Sequence, residues 1–394
     1  MSGFFHKRYL IMTALMFLVL GIFSLVPINC SFLDPLAKAI GDFDVYDIVY
    51  SKLRDEQKVD TNIVLVNLSN LSRSDIARQV NIINSFNPKV IGIDAIFQEE
   101  KEFSSDSLLS DAFSKCRNLV LVSKLDLYRE DSDDYDTLIS SIEIFNKYAS
   151  NGFANLPNDD KVSFRTIREF KPVSKTNGTE VNAFGSQIVE IYNPAAFQFL
   201  KNRKKEIEKI NFVGNYNKFY YLDAYQVLSD ENDLSFIKDK IVLMGFMGLS
   251  LNNKTFEDIY FTPLNERYAG KAFPDMYGVV IHANIISMIL SKSYVAIMPQ
   301  WLSIVFALIL SYISSYIIFN LKIKYKDWFS AFSKLYILII SLINLFIGVM
   351  VLHHFNYRLN LTLALAVVVL TNTIVEIYQS YVSKIFPSLE KNIK

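Results

Sequence analysis

Four long apolar stretches, one near the start of the chain and three close to its end, constrain the fold more than any other feature. Each is near the length of about 20 residues that a helix needs to cross roughly 30 Å of hydrocarbon. Roughly 270 mostly polar residues separate the first stretch from the second. We therefore expect a large domain on one side of a membrane, held by one N-terminal span and by three further spans. The stretches are Tyr9–Pro27, Pro299–Asn320, Leu335–Leu352 and Leu361–Tyr381.

Basic residues predict the orientation of these spans, because they concentrate on the cytoplasmic side. The link between the second and third spans has four lysines against Asp327, and the tail has three lysines against Glu390. The loop between the third and fourth spans has only Arg358. This pattern predicts a cytoplasmic N-terminus (1–8), a span (9–27), an extracytoplasmic domain (28–298), a three-helix transmembrane bundle (299–382) and a cytoplasmic tail (383–394). The lysines are Lys322, Lys324, Lys326 and Lys334 in the link, and Lys384, Lys391 and Lys394 in the tail.

The first stretch has a second interpretation, a cleaved signal peptide. No A-x-A cleavage site follows it and its apolar run is long, so we expect an anchor. The two cysteines, Cys30 and Cys116, are too few for a disulfide framework, and one bridge or two free thiols both remain open. Equal numbers of basic and acidic residues, 40 of each, give no global field that would attract nucleic acid.

The polar region alternates between two patterns. Short, nearly continuous apolar runs are typical of strands that helices cover on both faces. Helical patterns fall between them, and one ends at Pro88. This order predicts an α/β domain beside an all-α membrane region of four transmembrane helices. The predicted strands are Asn62–Leu68, Lys89–Ala95, Asn118–Lys124, Ile210–Gly214 and Lys240–Gly245, and the predicted helices are Ser72–Asn87, Ser104–Lys115 and Asn193–Lys209.

Several segments in this order resemble one family. They are Asp44–Asn67, Pro88–Phe97 (PKVIGIDAIF), Leu234–Gly248 (LSFIKDKIVLMGFMG), Asp258–Pro263 (DIYFTP) and Gly278–Asn284 (GVVIHAN). Together with the flanking spans they resemble the type 2 CHASE domain, an extracellular sensory module of bacterial histidine kinases and adenylate cyclases. The resemblance implies a multi-pass protein of the bacterial inner membrane with its large domain in the periplasm or outside the cell. Sensors of this kind are often dimers, so a homodimer is a further expectation.

The sequence departs from the family pattern at two places. Asn67 stands where the family often carries an Asp, and Ser72-Arg73-Ser74 stands in place of a Trp-Pro-x-x-Arg-like segment. Kinase and cyclase members continue into a cytoplasmic output domain, whereas this sequence stops about a dozen residues after its last span. We therefore expect the signal to pass to a separate protein.

Ligands of open α/β sheets collect beyond the carboxyl ends of the strands. The candidate ligand-binding residues near such ends, or on the segments that follow them, are Asp94, Gly245, Gly248, Asp258, Thr262, His282 and Asn284. Each has a structural alternative. Asp94 would cap the following segment, the glycines would turn the chain, and His282 with Asn284 would hold the preceding loop.

The sequence shows no catalytic constellation, no metal-ligand spacing and no cofactor motif, so we expect neither an enzyme nor a metalloprotein. Glu376 is the acidic residue within a span and is a candidate for membrane signalling. We predict a membrane sensor that binds an unknown ligand or partner outside the cytoplasm. The alternative is an envelope scaffold whose domain binds another protein without signalling.

Overall fold

A computed structural model describes residues 6–25, 45–156, 166–229, 232–250, 255–265 and 273–385. Cys30 and the tail beyond residue 385 lie outside the described residues, so the disulfide question stays open. The chain divides into two compact units. We call residues 50–295 the sheet unit, and residues 1–49 with 296–394 the helical unit.

The helices and strands follow in chain order. The helices are α1 (Lys7–Leu25), α2 (Val45–Ile48), α3 (Arg73–Ser85), α4 (Phe103–Ser114), α5 (Glu143–Asn146), α6 (Phe184–Tyr192), α7 (Pro194–Asn202), α8 (Ala224–Leu228), α9 (Gly278–Ser291), α10 (Gln300–Lys324), α11 (Phe329–Phe355), α12 (Thr362–Ile377) and α13 (Ser383–Ile385). The longer strands are β1 (Asp60–Asn67), β2 (Val90–Asp94), β3 (Leu119–Arg129), β4 (Asp134–Ile139), β5 (Ser150–Phe153), β7 (Val173–Thr176), β8 (Thr179–Asn182), β10 (Phe219–Leu222) and β11 (Ile241–Gly245). The two-residue strands are β6 (Glu169–Phe170), β9 (Glu208–Lys209), β12 (Ile259–Tyr260), β13 (Met276–Tyr277), β14 (Ala296–Ile297) and β15 (Tyr357–Arg358).

The longer strands form one mixed sheet in the order β10-β1-β11-β2-β3-β4-β7-β8, with β5 also paired to β3. Strands β10, β1, β11, β2 and β3 are parallel, so their carboxyl ends meet at one edge. Strand β11 is fully buried, β2 is buried up to its last residue and β1 is buried from Ile63 to Asn67, as their continuous apolar runs predict.

Helices cover both faces of the sheet. One face packs against α3, α4 and α8 through a single apolar core that includes Val66, Ile93 and Met244 from the strands. The other face packs against α6 and α9. Helix α9 is buried at every residue from Gly278 to Ile289, which is why its sequence is apolar on all sides. The α/β class is therefore confirmed as a three-layer arrangement.

Two sequence predictions need correction. Ile210–Gly214 is not a strand. Its polar groups form hydrogen bonds outside any strand pairing: the Asn211 side chain donates to Ser293, and the N–H groups of Val213 and Gly214 donate to Asn284. The helix predicted over Asn193–Lys209 ends at Asn202, since Glu208–Lys209 pairs with β6. Strand β10 and helix α6 were not predicted.

Within the described residues, the helical unit contains four helices long and apolar enough to cross a membrane: α1, α10, α11 and the segment Thr362–Ile385, which joins α12 and α13 through a π-helical turn. Helices α1, α10 and α12 pack closely, and the ring of Tyr9 lies edge-on against Tyr312, Tyr316 and Phe319. The hydroxyls of Thr13 and Ser311 approach to 3.4 Å across α1 and α10. Small buried side chains on α10 allow this close approach.

Candidate functional site

Three parallel strands end side by side at the carboxyl edge of the sheet. Asn67 of β1 lies in register with Gly245 of β11, and Gly245 lies in register with Asp94 of β2. The first residues of α9 lie against this edge, because a β-carbon built on Gly245 would stand 2.6 Å from the β-carbon of Val279. Glycine at position 245 is thus what lets α9 approach the sheet.

Asn67 organises the loop that follows β11. Its amide group donates to the carboxylate of Asp223 at 2.8 Å and to the carbonyl of Gly248 at 3.0 Å. Its side-chain oxygen accepts from the N–H groups of Ser69 and Met247, both at 2.9 Å. Gly248 adopts a φ of +86°, a conformation that suits glycine. Gly245 and Gly248 therefore serve the backbone, and Asn67 is a fully bonded buried side chain.

Asp94 lies at this edge with its side chain partly buried. Burial among protein atoms raises the pKa of its carboxyl group to about 7, because the charged form loses water. No described residue donates a hydrogen bond to this carboxylate. The capping role considered from the sequence is therefore not observed within the described part of the chain.

Asp258 meets Asp94 from the loop after β11. Its backbone has a φ of 51°, and its carbonyl accepts the N–H of Gly278, the first residue of α9, at 3.1 Å. The residue keeps an exposed surface, while its carboxylate oxygens lie against Gly278. Burial, and then the negative charge of Asp94, raise the pKa of Asp258 to about 7, and a hydrogen bond from Tyr260 opposes this rise.

Tyr260 completes the group, which we call the carboxyl cluster: Asp94, Asp258 and Tyr260. Burial raises the pKa of the Tyr260 phenol, and the charge of Asp258 adds to the rise. The phenol thus stays a hydrogen-bond donor to Asp258. Two neighbouring carboxyl groups that both titrate near pH 7 act as a coupled pair. The sequence named both aspartates but missed Tyr260, whose only signal was its position two residues after Asp258.

Thr262 lies outside the carboxyl cluster and has a structural role. Its N–H and its hydroxyl both donate to the carboxylate of Asp275, at 2.8 and 2.5 Å. Asn265 also donates to this carboxylate at 3.3 Å. Burial raises the pKa of Asp275 to about 6.

His282 and Asn284 are both buried on α9. The His282 ring lies edge-on against Phe184 with centroids 5.3 Å apart, and burial lowers its pKa to about 4, so the imidazole is neutral. Neither aspartate of the carboxyl cluster contributes to this shift. Asn284 accepts from the N–H groups of Val213 and Gly214, at 2.7 and 3.2 Å, and so fixes the 213–214 backbone. The structure therefore brings Asp94, Gly245 and Asp258 together. Thr262 and Asn284 instead use their hydrogen bonds to hold neighbouring loop segments in place.

Glu376 lies on an exposed face of its helix and accepts a hydrogen bond from Asn372, one turn earlier, at 3.2 Å. Asn344 donates to the carbonyl of Ile340 in its own helix. Both asparagines thus bond within one helix rather than between helices. Among the described residues, no group of three or more His, Cys, Asp or Glu side chains is arranged to hold a metal ion.

The structure thus defines a mixed α/β sheet unit with a polar carboxyl edge, in a chain whose other unit holds helices long and apolar enough to cross a membrane. The family model of the CHASE2 domain matches residues 14–316, which is most of the chain. The chain therefore belongs to the CHASE2 family, a family of sensory domains. Comparison with curated proteins and with solved structures gives no match.

Proposed function

We propose that this chain is an integral membrane sensor whose sheet unit binds a ligand or partner at the carboxyl cluster. The observation that carries the proposal is the contact between the Asp258 carboxylate and Gly278. Anything that moves or neutralises Asp258 acts directly on the first turn of α9. The chain then runs from the end of α9 at Ser291 to the start of α10 at Gln300, so a displacement of α9 is passed on to a span.

The mechanism is a population shift between two arrangements of α9. A ligand moves such an equilibrium only as far as its affinities for the two arrangements differ. The carboxyl cluster supplies that difference, since bringing two partly desolvated carboxylates together is unfavourable until a proton or a bound group offsets the repulsion.

We propose the topology that loop charges favour: the sheet unit on the outer side of a bacterial inner membrane and both termini in the cytoplasm. A separate protein receives the signal, with Lys322, Lys324 and Lys326 as the surface it contacts. A homodimer fits a receptor of this design by analogy alone.

Disulfide trapping across the spans tests the sensor. Thr13→Cys with Ser311→Cys, in a Cys30→Ser/Cys116→Ser background, joins the span before the sheet unit to the span after it. The matched control is Ser314→Cys with Tyr336→Cys on two helices that both follow the sheet unit, where the Tyr336 hydroxyl donates to Ser314 at 3.0 Å. Because a cysteine is shorter than the tyrosine it replaces, both pairs are joined with a short bis-methanethiosulfonate linker. Asp94→Asn/Asp258→Asn mimics the protonated carboxyl cluster.

We expect the Thr13–Ser311 trapping rate above pH 7 to change in the double asparagine variant, and the parent below pH 7 to behave like that variant. Each rate is divided by that of the control pair at the same pH, because thiolate formation alone changes both rates with pH. A Thr13–Ser311 rate that, relative to the control pair, does not change with pH, osmotic strength or the asparagine substitutions would overturn the sensor.

Crosslinking and recovery from native membranes through a C-terminal tag identifies the output. Recovery of a kinase, cyclase or other regulator supports a receptor with its output on another chain. Recovery of envelope-assembly proteins alone, at fixed stoichiometry, supports the scaffold instead.

A further inference from the structure

Asn211 bonds simultaneously to the segment that enters the sheet unit and to the segment that leaves it. Its side-chain oxygen accepts from the Tyr50 hydroxyl at 2.8 Å and from the Arg54 guanidinium at 2.7 Å. Its amide nitrogen donates to both the carbonyl and the hydroxyl of Ser293, each at 2.8 Å. All four hydrogen-bonding positions of this amide are thus used, two for each segment.

Neighbouring hydrogen bonds also link the entering segment, the 211–214 backbone and α9. Arg54 also donates to the carbonyl of Phe212, and its guanidinium lies over the ring of Tyr50. The Ser287 hydroxyl donates to the carboxylate of Asp60 at 2.6 Å, which ties α9 to the start of β1. Asn284 holds the neighbouring 213–214 backbone from α9.

Asn211 is only 3% exposed, while its partners Arg54 and Ser293 are half-buried. Leaving one partner of such a buried bond unsatisfied is unfavourable, so the connection favours the arrangement in which all its bonds are made. An open cavity of about 570 Å³ lies beside it, lined by residues of the entering segment, by Asn211 and by the end of α9. Both segments line this cavity, and the hydrogen bonds of Asn211 connect them beside it.

Helix α9 links this connection to the carboxyl cluster. Its 14 residues extend about 21 Å, with Gly278 against Asp258 at one end and Ser287 against Asp60 near the other. Twelve consecutive residues, Gly278–Ile289, are buried, so the helix shifts as one body rather than bending locally.

We propose that Asn211 is the positioning residue that couples the two segments flanking the sheet unit, so that the spans they lead to shift together. We call Asn211 with Tyr50, Arg54 and Ser293 the amide clamp. None of its contacts involves the carboxyl cluster, so it does not depend on the proposed ligand site.

Asn211→Asp should weaken the amide clamp on one side only, towards Ser293. The carboxylate still accepts from Tyr50 and Arg54, but it cannot donate to the Ser293 carbonyl and instead repels it; the Ser293 hydroxyl alone can turn to donate to the carboxylate. The entering half therefore stays bonded while the leaving half is weakened. The matched control is Asn202→Asp, an exposed position at the end of α7.

The measurement is pulsed EPR on the full chain in nanodiscs with cysteines 30 and 116 replaced by serine. One nitroxide is attached at Asn81→Cys on α3. It is paired with a second label at Lys52→Cys in the entering segment or at Lys292→Cys in the leaving segment, and all three positions are exposed. In Asn211→Asp we expect the 81–292 distance distribution to broaden by at least twofold and the 81–52 distribution to stay as in the parent. Asn202→Asp should change neither.

If Asn211→Asp fails to fold, Tyr50→Phe and Ser293→Ala release one bond on each side without introducing a charge. Tyr50→Phe should broaden only the 81–52 distribution, and Ser293→Ala only the 81–292 distribution. Unchanged distributions in a folded Asn211→Asp chain, or in both single variants, would overturn the clamp. Equal broadening of both pairs in Asn211→Asp would also overturn it, since it would show general loosening rather than release of one segment.

Discussion

The carboxylate of Asp258 lies against Gly278 so closely that a β-carbon on Gly278 would stand 3.0 and 3.1 Å from its two oxygens. A glycine at the first position of α9 therefore makes room for an acidic side chain. This contact joins the carboxyl cluster to α9, the helix that precedes α10 in the chain.

Gly278→Ala should displace Asp258 from the carboxyl cluster and lower the pKa of its carboxyl group, because the separation from Asp94 increases and water returns. The protonated-carboxyl band in infrared difference spectra of the full chain reports this titration, and Asp94→Asn and Asp258→Asn assign it. Gly21→Ala is the control, since nothing lies within 4 Å of the added methyl group. A titration identical to that of the parent would show that Gly278 does not position Asp258.

The free energy of unfolding should fall as pH rises from about 3.9 to about 7, the range in which Asp94 of the carboxyl cluster loses its proton. The folded pKa of Asp94 is about 7, above the value of about 3.9 for an unfolded aspartate, so the folded chain binds more protons between these values. The stabilisation is thus complete at the acidic end of the window and is lost as pH approaches 7. Asp94→Asn should flatten this slope and raise the melting temperature above pH 7 by several degrees.

The reporter for that experiment is Cys116 in a Cys30→Ser background. Cys116 is half-buried beside the apolar core, and burial raises the pKa of its thiol to about 12, so it reacts slowly with a fluorogenic maleimide until the sheet unit opens. Equal pH slopes in the parent and in Asp94→Asn would contradict the prediction.

The hydrogen bond from Asn67 to Asp223 predicts that a second carboxylate at position 67 destabilises the chain. Asn67→Asp would place a carboxylate against Asp223, where the native amide donates at 2.8 Å, and against the Gly248 carbonyl. We expect a loss of about 3 kcal/mol in the free energy of unfolding, the scale of an uncompensated buried charge. Asp223→Asn in the same chain should restore at least half of it by supplying a donor. Thermal unfolding of the two variants side by side decides this, and no rescue would mean that Asp223 is not the reason for Asn67.

Gly245→Ala should destabilise the sheet unit by about 2 kcal/mol through overpacking, because its β-carbon would overlap Val279. Val279→Ala in the same chain removes the overlapping methyl groups, so the double variant should be more stable than the sum of the single changes. Additive losses in this cycle would place the cost of Gly245→Ala elsewhere.

The sequence predicted the features that depend on short apolar runs. The strands around Val64, Ile91 and Val242 follow from such runs, and so does the carboxyl edge where Asp94 ends β2. The four helices long and apolar enough to cross a membrane follow from the longer apolar stretches. Asp258 followed from its place in the loop after β11.

The remaining features depend on contacts between residues far apart in the chain. Ile210–Gly214 looks like a strand, yet Asn211 bonds to partners 161 and 82 positions away, Tyr50 and Ser293. Thr262 and Asn284 are residue types that suit a ligand site, but Asp275 and the 213–214 backbone use their hydrogen bonds instead. No local pattern distinguishes a polar side chain that meets a ligand from one that meets a distant loop.

The orientation of the spans makes the last prediction. Lys326 lies in the basic link between α10 and α11, and Phe355 lies at the end of α11, just before Arg358. Both side chains are exposed, so single cysteines there are open to reagents. Because lysine-rich links stay in the cytoplasm, we expect a membrane-impermeant maleimide, added to cells with a permeabilised outer membrane, to label Phe355→Cys and to spare Lys326→Cys. After the inner membrane is broken both should react, which controls for intrinsic reactivity. Labelling of Lys326→Cys alone in intact cells would reverse the topology and place the sheet unit in the cytoplasm, and the outer ligand proposed for the carboxyl cluster would then be wrong.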